Sequence, residues 1–241
     1  MSSELFELSL LDMNANSLER AAAFYARSGY LPLRDVEESV VPLFEKVLDD
    51  ILTDLGFRLG EVLRGSIPLT AFSFEERKRL SQIDSSPQLQ ARALEILEPI
   101  LLRLLGPLVH VSRDFHAQFK GSDLQAPTVG HGGYPTGTEY LEPFGQYLLH
   151  QDFTGASLPT SPSSITVWVP MTTGPHWGLR LYPGSHRRGI LCNKWIPLDD
   201  ERLHMLGEPV DFPATRGRAL LFHGLLMHST TNPGVSRRVS T

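Results

Sequence analysis

A single cysteine, Cys192, stands among 241 residues. One thiol can close no internal disulfide and build no multi-thiolate zinc site, and it fits a reducing compartment. Long apolar runs are lacking too. No segment approaches the roughly 18 apolar residues that span a bilayer, and Met1-Ser2-Ser3-Glu4 has neither a basic start nor an apolar stretch behind it. Positive charge is sparse: 22 Lys and Arg face 27 Asp and Glu, the net charge is -5, and no sustained basic run occurs. That excludes the overall basic field that draws a phosphodiester backbone. Internal repeats and low-complexity tracts are absent as well. The expectation is a cytoplasmic protein whose partner is a small molecule rather than nucleic acid or membrane. Nothing in the pattern speaks to oligomeric state.

What is present is enough chain for one medium domain with its own hydrophobic core, written in two textures. Residues 1–106 read as mostly helical support. Ser17–Ser28 forms a helix with Asn16 as N-cap and Gly29 as its stop, and Tyr30–Leu33 is extended. Val40, Leu43, Phe44, Val47, Leu48, Ile51, Leu52 and Leu55 then recur at helical spacing. Two further helices are expected, around Phe74 to Leu80 and from Pro87 to Leu105, closed by Gly106-Pro107.

Residues 107–241 turn to short apolar runs separated by Gly, Pro, Ser and Thr, the texture of antiparallel β structure. Strands are expected at Leu108–Ser112, Tyr147–Asp152, Ile165–Pro170, Leu179–Tyr182, Pro209–Phe212, Ala219–Phe222, Leu226–His228 and Arg238–Thr241. The fold class is mainly β. Its expected form is a double-stranded β-helix (jelly roll, cupin-like) with the N-terminal helical layer supporting one sheet; an ordinary β-sandwich is the alternative.

The residues richest in chemistry are His150-Gln151-Asp152, answered downstream by His228 and then by Arg238-Val239-Ser240. In an extended strand, side chains two apart share a face, so His150 and Asp152 project together while Gln151 faces the other way. A second histidine from a distant strand completes two imidazoles and one carboxylate on one side of a metal. The opposite side stays open for cofactor and dioxygen, an arrangement that favours non-haem iron(II). His228 is preferred as the distal ligand because it precedes the polar turn Ser229-Thr230-Thr231-Asn232-Pro233. His223 competes with it.

With those residues stand Ile165-Thr166-Val167-Trp168-Val169-Pro170, Leu179-Arg180-Leu181-Tyr182-Pro183-Gly184-Ser185-His186 and Gly217-Arg218-Ala219-Leu220-Leu221-Phe222-His223-Gly224. In this order and spacing, residues 150 to 241 resemble the phytanoyl-CoA dioxygenase family of Fe(II)- and 2-oxoglutarate-dependent oxygenases. The first helix with Gly29-Tyr30-Leu31-Pro32-Leu33 is similar to that family's opening. The helical region between matches nothing specific.

The resemblance implies that His150, Asp152 and His228 are the iron ligands and catalytic centre, with 2-oxoglutarate as cosubstrate and O2 as oxidant. It implies Arg238 as anchor of the distal carboxylate of 2-oxoglutarate, which a guanidinium fork grips through two parallel charge-assisted hydrogen bonds. Ser240, two residues along, faces the same carboxylate, and Arg237 the opposite side. Gln151, Trp168 and Thr230 are implied as further cosubstrate contacts, although Trp168 reads equally well as a core aromatic. The implied reaction hydroxylates an unactivated carbon of a small-molecule substrate with release of succinate and CO2. Related halogenases replace the carboxylate by a small residue, so Asp152 favours hydroxylation, desaturation or cyclisation. Two other readings stay open: a redox-inert jelly-roll metalloprotein, either zinc hydrolase or isomerase, and a non-catalytic binding protein on the same fold.

Pro183-Gly184-Ser185-His186 reads as a structural turn, with His186 no ligand. Arg180 and Tyr182 share a strand face that either lines the cavity or decorates the outside. Gly130–Thr138 is either a lid or a passive connection, and Asn193–Met205, with Trp195, is a second wall of the cavity. The chain ends three residues after Arg238, short of a typical strand of about five or six. This predicts a truncated last strand unless its missing edge is supplied otherwise, and weak 2-oxoglutarate binding if Arg238–Thr241 frays.

Overall fold

The computed structural model describes residues 6–64, 66–67, 71–73, 75–76, 83–84, 87–106, 114–115, 118–120, 149–152, 164–173, 178–191, 200–230 and 238–240. The expected strand Leu108–Ser112, the segment Gly130–Thr138, Cys192 and Trp195 lie outside the described residues, as does most of the helix expected at Phe74–Leu80.

The N-terminal half is helical, as its periodicity predicts. Helix α1 is Ala15–Ser28, with Asn14 as N-cap, its side chain accepting from the Ser17 N–H. The cap is thus Asn14 and not Asn16: two asparagines straddle the helix start, and the one whose backbone stays extended accepts the bond. At the other end Gly29 adopts φ +82°, and a Cβ there would collide with the His186 ring. Glycine therefore both ends α1 and lets a distant turn pack on its C-terminus. Helix α2, Val41–Asp54, turns Val41, Phe44, Leu48 and Leu52 inward. Short α3 spans Leu59–Leu63, and α4, Pro87–Leu105, carries Pro99 inside it and ends at left-handed Gly106. No helix among the described residues is long and apolar enough to cross a membrane.

Two sheets carry the remainder. In the first, β1 (Leu8–Ser9), β2 (Tyr30–Arg34), β9 (Arg218–His223) and β6 (Ile165–Trp168) lie in the order β1-β2-β9-β6. β1 runs parallel to β2 and the other pairs are antiparallel. In the second, the order is β10-β7-β8, all antiparallel, from His228–Thr230, Gly178–Leu181 and Val210–Pro213. Two further pairs join β3 (Ile83–Asp84) to β4 (Asp114–Phe115), and β5 (Gln118–Lys120) to β11 (Arg238–Ser240). A last helix, α5, is Asp200–His204.

Strand alternation builds both cores. On β9, Ala219 and Leu221 face the helices, where they pack with Leu31, Leu33, Leu48, Leu52 and Ile100. Leu220 and Phe222 face the other way and join Tyr30, Trp168, Leu179, Leu181 and Phe212 between the two sheets. The helical layer covers the outer face of one sheet, and that sheet's inner face meets the second. Each fully buried Leu or Phe contributes about 1.5–3 kcal/mol. Two facing sheets are half of the expected jelly roll, and no closed sheet forms among the described residues.

Candidate metal centre

One bridged pair of residues creates the site. His150 N donates to His228 O and His228 N donates to His150 O, both at 2.9 Å. Residues so opposed in antiparallel backbone project their side chains to the same face, and here the two rings lie 4.3 Å apart. Asp152, two residues on from His150, turns to that face too. Its Oδ1 lies 3.4 Å from Nε2 of His150 and 3.4 Å from Nε2 of His228. The donor atoms of all three side chains lie within 4.8 Å of one another, and they are the one His/Cys/Asp/Glu group of this kind among the described residues. Only His150 of the expected strand Tyr147–Asp152 is in a ladder, as this isolated bridge; Tyr147 and Leu148 lie outside the described residues.

The surroundings prepare the three donors. His228 sits on the inner face of β10, opposite Leu181, with the Phe222 ring 4.7 Å away. Its Nδ1 lies 2.9 Å from the Leu226 carbonyl, a group that only accepts, so the proton sits on Nδ1 and Nε2 presents its lone pair to the site. Burial pushes His228 down, but the Asp152 charge and hydrogen bond outweigh it and raise its pKa above the usual imidazole range. Asp152 answers in kind. Withdrawal from water pushes its carboxyl up, and the two histidines more than reverse this, holding it well below the usual carboxylate range. Two neutral imidazoles and one carboxylate are a fitting donor set for a divalent cation.

Gln151 has a different task from the cosubstrate contact expected of it. It points away from the triad, is 1% exposed, and its Nε2 donates to Gly189 O at 2.9 Å and Leu225 O at 2.6 Å. Its Oε1 accepts from Leu191 N at 2.8 Å. The amide that the family resemblance assigned to 2-oxoglutarate therefore clamps the His150–Asp152 segment to two loops. Trp168 is a core aromatic, edge-on to Phe212 at 6.0 Å between the sheets. His223 is no ligand: its Nδ1 accepts from Leu225 N at 3.0 Å, and its ring packs 5.2 Å from that of His186.

Arg180 and Tyr182 part company. Arg180 faces outward and grips Asp211, directly opposite on β8, with two bonds of 2.8 and 2.9 Å, while the inner face of β7 belongs to Leu179 and Leu181. Tyr182 packs beside Leu191 and Met227. The turn Pro183–His186 is structural, as expected: Gly184 is left-handed at φ 80°, and Ser185 accepts from Met227 N at 2.9 Å, steadying the strand that leads to His228. Thr230 lies two residues beyond His228 on β10, opposite Leu179. Arg238 and Ser240 lie on β11, paired with Lys120 and Gln118. One neighbour of the triad was missed from sequence: Thr166 on β6 donates to Asp152 Oδ2 at 2.7 Å. Alternation with Trp168, two residues on and inward, was the signal that could have found it.

Residues 135–239 match the family described as phytanoyl-CoA dioxygenase. Over those residues the chain is similar to the phytanoyl-CoA dioxygenase family. It is an enzyme of the Fe(II)/2-oxoglutarate-dependent oxygenase class, with a His-Asp-His metal-binding triad. No curated protein matches the sequence. Among solved structures, the fold is similar to that of SnoK, a non-heme α-ketoglutarate-dependent carbocyclase from nogalamycin biosynthesis. The TM-score is 0.60 at 19% identity, over 98% of this chain and 84% of that one. EctD from S. alaskensis, solved with 2-oxoglutarate and 5-hydroxyectoine, gives 0.57 at 21% identity, over 92% and 73%. The epimerase SnoN, solved with Fe3+, α-ketoglutarate and nogalamycin RO, gives 0.54 at 16% identity, over 94% and 82%. At these identities the likeness is one of fold.

Proposed function

We propose that this phytanoyl-CoA dioxygenase-like protein hydroxylates an unactivated carbon of a small molecule on a double-stranded β-helix, releasing succinate and CO2 from 2-oxoglutarate. The observation that carries the reading is the triad itself: two imidazoles and one carboxylate within 4.8 Å, beside the space between two sheets and free of any thiolate. The similar fold of EctD, solved with 2-oxoglutarate and a hydroxylated small molecule, supports the same reading.

In this account His150, Asp152 and His228 are the iron ligands and the catalytic centre. Arg238 and Ser240 on β11 receive the distal carboxylate of 2-oxoglutarate, with Thr230 as a further hydroxyl contact. When bound, iron(II) with 2-oxoglutarate supplies oxidising power from O2 for C–H hydroxylation. The chain does the rest. Leu226 O fixes the His228 tautomer, the bridged backbone of His150 and His228 fixes the spacing of the two rings, and Asp152 contributes the single negative charge. Phe222 packs against the His228 ring and keeps water from that flank, which strengthens each electrostatic contact inside.

Aerobic incubation with iron(II), 2-oxoglutarate and a panel of small molecules tests the proposal. The expected result is succinate that forms with iron(II) and not with zinc, together with one panel member gaining a single oxygen atom. A hydrolysed or isomerised product with no succinate, or succinate formed equally by the Asp152→Ala variant, overturns it.

A further inference from the structure

The unabsorbed residue nearest the chemistry is Thr166. Its neighbours Ile165 and Val167 pack toward the helical layer, whereas Trp168 joins the core between the sheets. Thr166 therefore points into the inter-sheet space, opposite Phe222 of β9, whose ring covers His228. There its Oγ1 lies 2.7 Å from Oδ2 of Asp152. The other carboxylate oxygen, Oδ1, is the one 3.4 Å from both Nε2 atoms. The two oxygens of Asp152 are thus differentiated by the fold: one faces the imidazoles and the other is held by a hydroxyl.

From this geometry we infer that Thr166 is a positioning residue that keeps Asp152 a one-oxygen ligand. A carboxylate chelates a metal through both oxygens only if each turns a lone pair to it, and the Thr166 hydrogen bond takes one of the two lone pairs of Oδ2 and holds the carboxylate plane turned toward the hydroxyl. The consequence is a count of coordination positions. With one oxygen from Asp152 and one nitrogen from each histidine, half of an octahedral shell stays open. With Asp152 bidentate, one of those positions is lost. The inference rests on the proposed metal centre, and in the reading above the lost position is the one that 2-oxoglutarate and O2 together cannot spare.

Manganese(II) is a suitable probe, because it accepts an octahedral shell of nitrogen and oxygen donors and its inner-sphere waters speed the relaxation of solvent protons. Proton relaxivity would be measured on the Mn(II)-loaded wild type and on Thr166→Val, which keeps the shape and removes the hydroxyl, with Thr166→Ser as the variant that restores the donor. Thr166→Ala covers the case in which the valine protein does not fold. The expected result is a relaxivity about one third lower for the valine and alanine variants, as one of the three open positions is taken by Oδ2. The serine variant should match the wild type, and Mn(II) should bind the valine variant at least as tightly as the wild type. Equal relaxivity in all four proteins, or loss of Mn(II) binding in the valine variant, overturns the inference and leaves Thr166 a structural contact. A second arm separates the two proposals. 2-Oxoglutarate added to Mn(II)-loaded wild type should displace water and lower the relaxivity; if it does not while the valine variant still loses a water, the inference stands and the functional reading fails.

Discussion

Five positions along the chain separate His223 from His228, and each belongs to a cluster that contains a second histidine. Around His223 lie His186 and Tyr25, with ring centroids 5.2 and 6.5 Å away. Around His228 lie His150 and Asp152. Burial pushes both imidazoles toward the neutral form, yet their pKa values move in opposite directions. His223, withdrawn from water and facing His186, is pushed down to about 4. His228 is raised because Asp152 outweighs the same withdrawal. The difference between a histidine that caps a turn and a histidine that can hold a metal is therefore the carboxylate, not the burial. Nδ1 of His223 accepts the Leu225 N–H, so the first cluster shapes the very turn that aims the Leu226 carbonyl at His228.

The largest expected effect comes from removing that carboxylate. Asp152→Ala leaves two imidazoles and should weaken iron(II) affinity by more than about 100-fold, the loss of a ligand exceeding the 10–100-fold typical of outer partners. Equilibrium metal titration measures it, and His223→Asn, which keeps an acceptor for the Leu225 N–H, should leave the affinity within a few-fold. If the His223 variant loses the metal and the Asp152 variant keeps it, the comparison is reversed.

Next in size is the clamp. Gln151→Ala strands the buried Leu191 N and Leu225 O and the part-buried Gly189 O, and at about 1–3 kcal/mol for an unsatisfied buried group the loss should total about 2–4 kcal/mol, below the simple sum because the loops relax. Urea unfolding followed by circular dichroism measures it. A loss under about 0.5 kcal/mol, the scale of an ordinary surface change, would mean the loops do not depend on this side chain.

A smaller, pH-dependent effect sharpens the contrast between the clusters. His223 is harder to protonate in the folded chain, about 4, than in the unfolded one, near 6.5. The unfolded state therefore binds more protons between these values, so stability falls as pH drops from about 6.5 to about 4 and is flat above this window. Groups facing the ring include His186 and Tyr25. His223→Asn, which keeps an acceptor for the Leu225 N–H and cannot take up a proton, should flatten the fall in melting temperature. An unaltered pH profile in that variant assigns the fall to other groups.

The least effect is expected at Arg180. Its pair with Asp211 is exposed and outward, so Arg180→Ala should cost at most about 1 kcal/mol and leave the substrate KM unchanged. A large rise in KM would show that this face takes part in binding after all.

The parts of the site that were legible in the sequence are those that depend on short-range geometry. His-x-Asp works because alternation is local, and it also put Gln151 on the opposite face correctly. The partners of Gln151 were hidden, since they are backbone groups 38, 40 and 74 residues away and backbone groups leave no mark in a sequence. Choosing His228 over His223 rested on the polar turn that follows it; the bond that occupies His223 depends on a ring rotamer. Arg180 stayed ambiguous because alternation says which residues share a face and not which face is inside. Strand β1 was missed because Leu8–Ser9 is too short to show a period, and it is fixed by pairing to β2. The long helices α1, α2 and α4 were readable from apolar spacing and from Gly29 and Gly106, both left-handed as a helix stop requires, whereas the single turns Leu59–Leu63 and Asp200–His204 are too short to show a period.

The central claim is most directly tested by titrating the protein with iron(II) and 2-oxoglutarate without oxygen while watching for the weak visible charge-transfer band of the chelate. The account predicts that the wild type develops the band, that Asp152→Ala loses it with the metal, and that His223→Asn keeps it. A wild type that binds iron(II) and 2-oxoglutarate without any band, or a band that survives in Asp152→Ala, contradicts it.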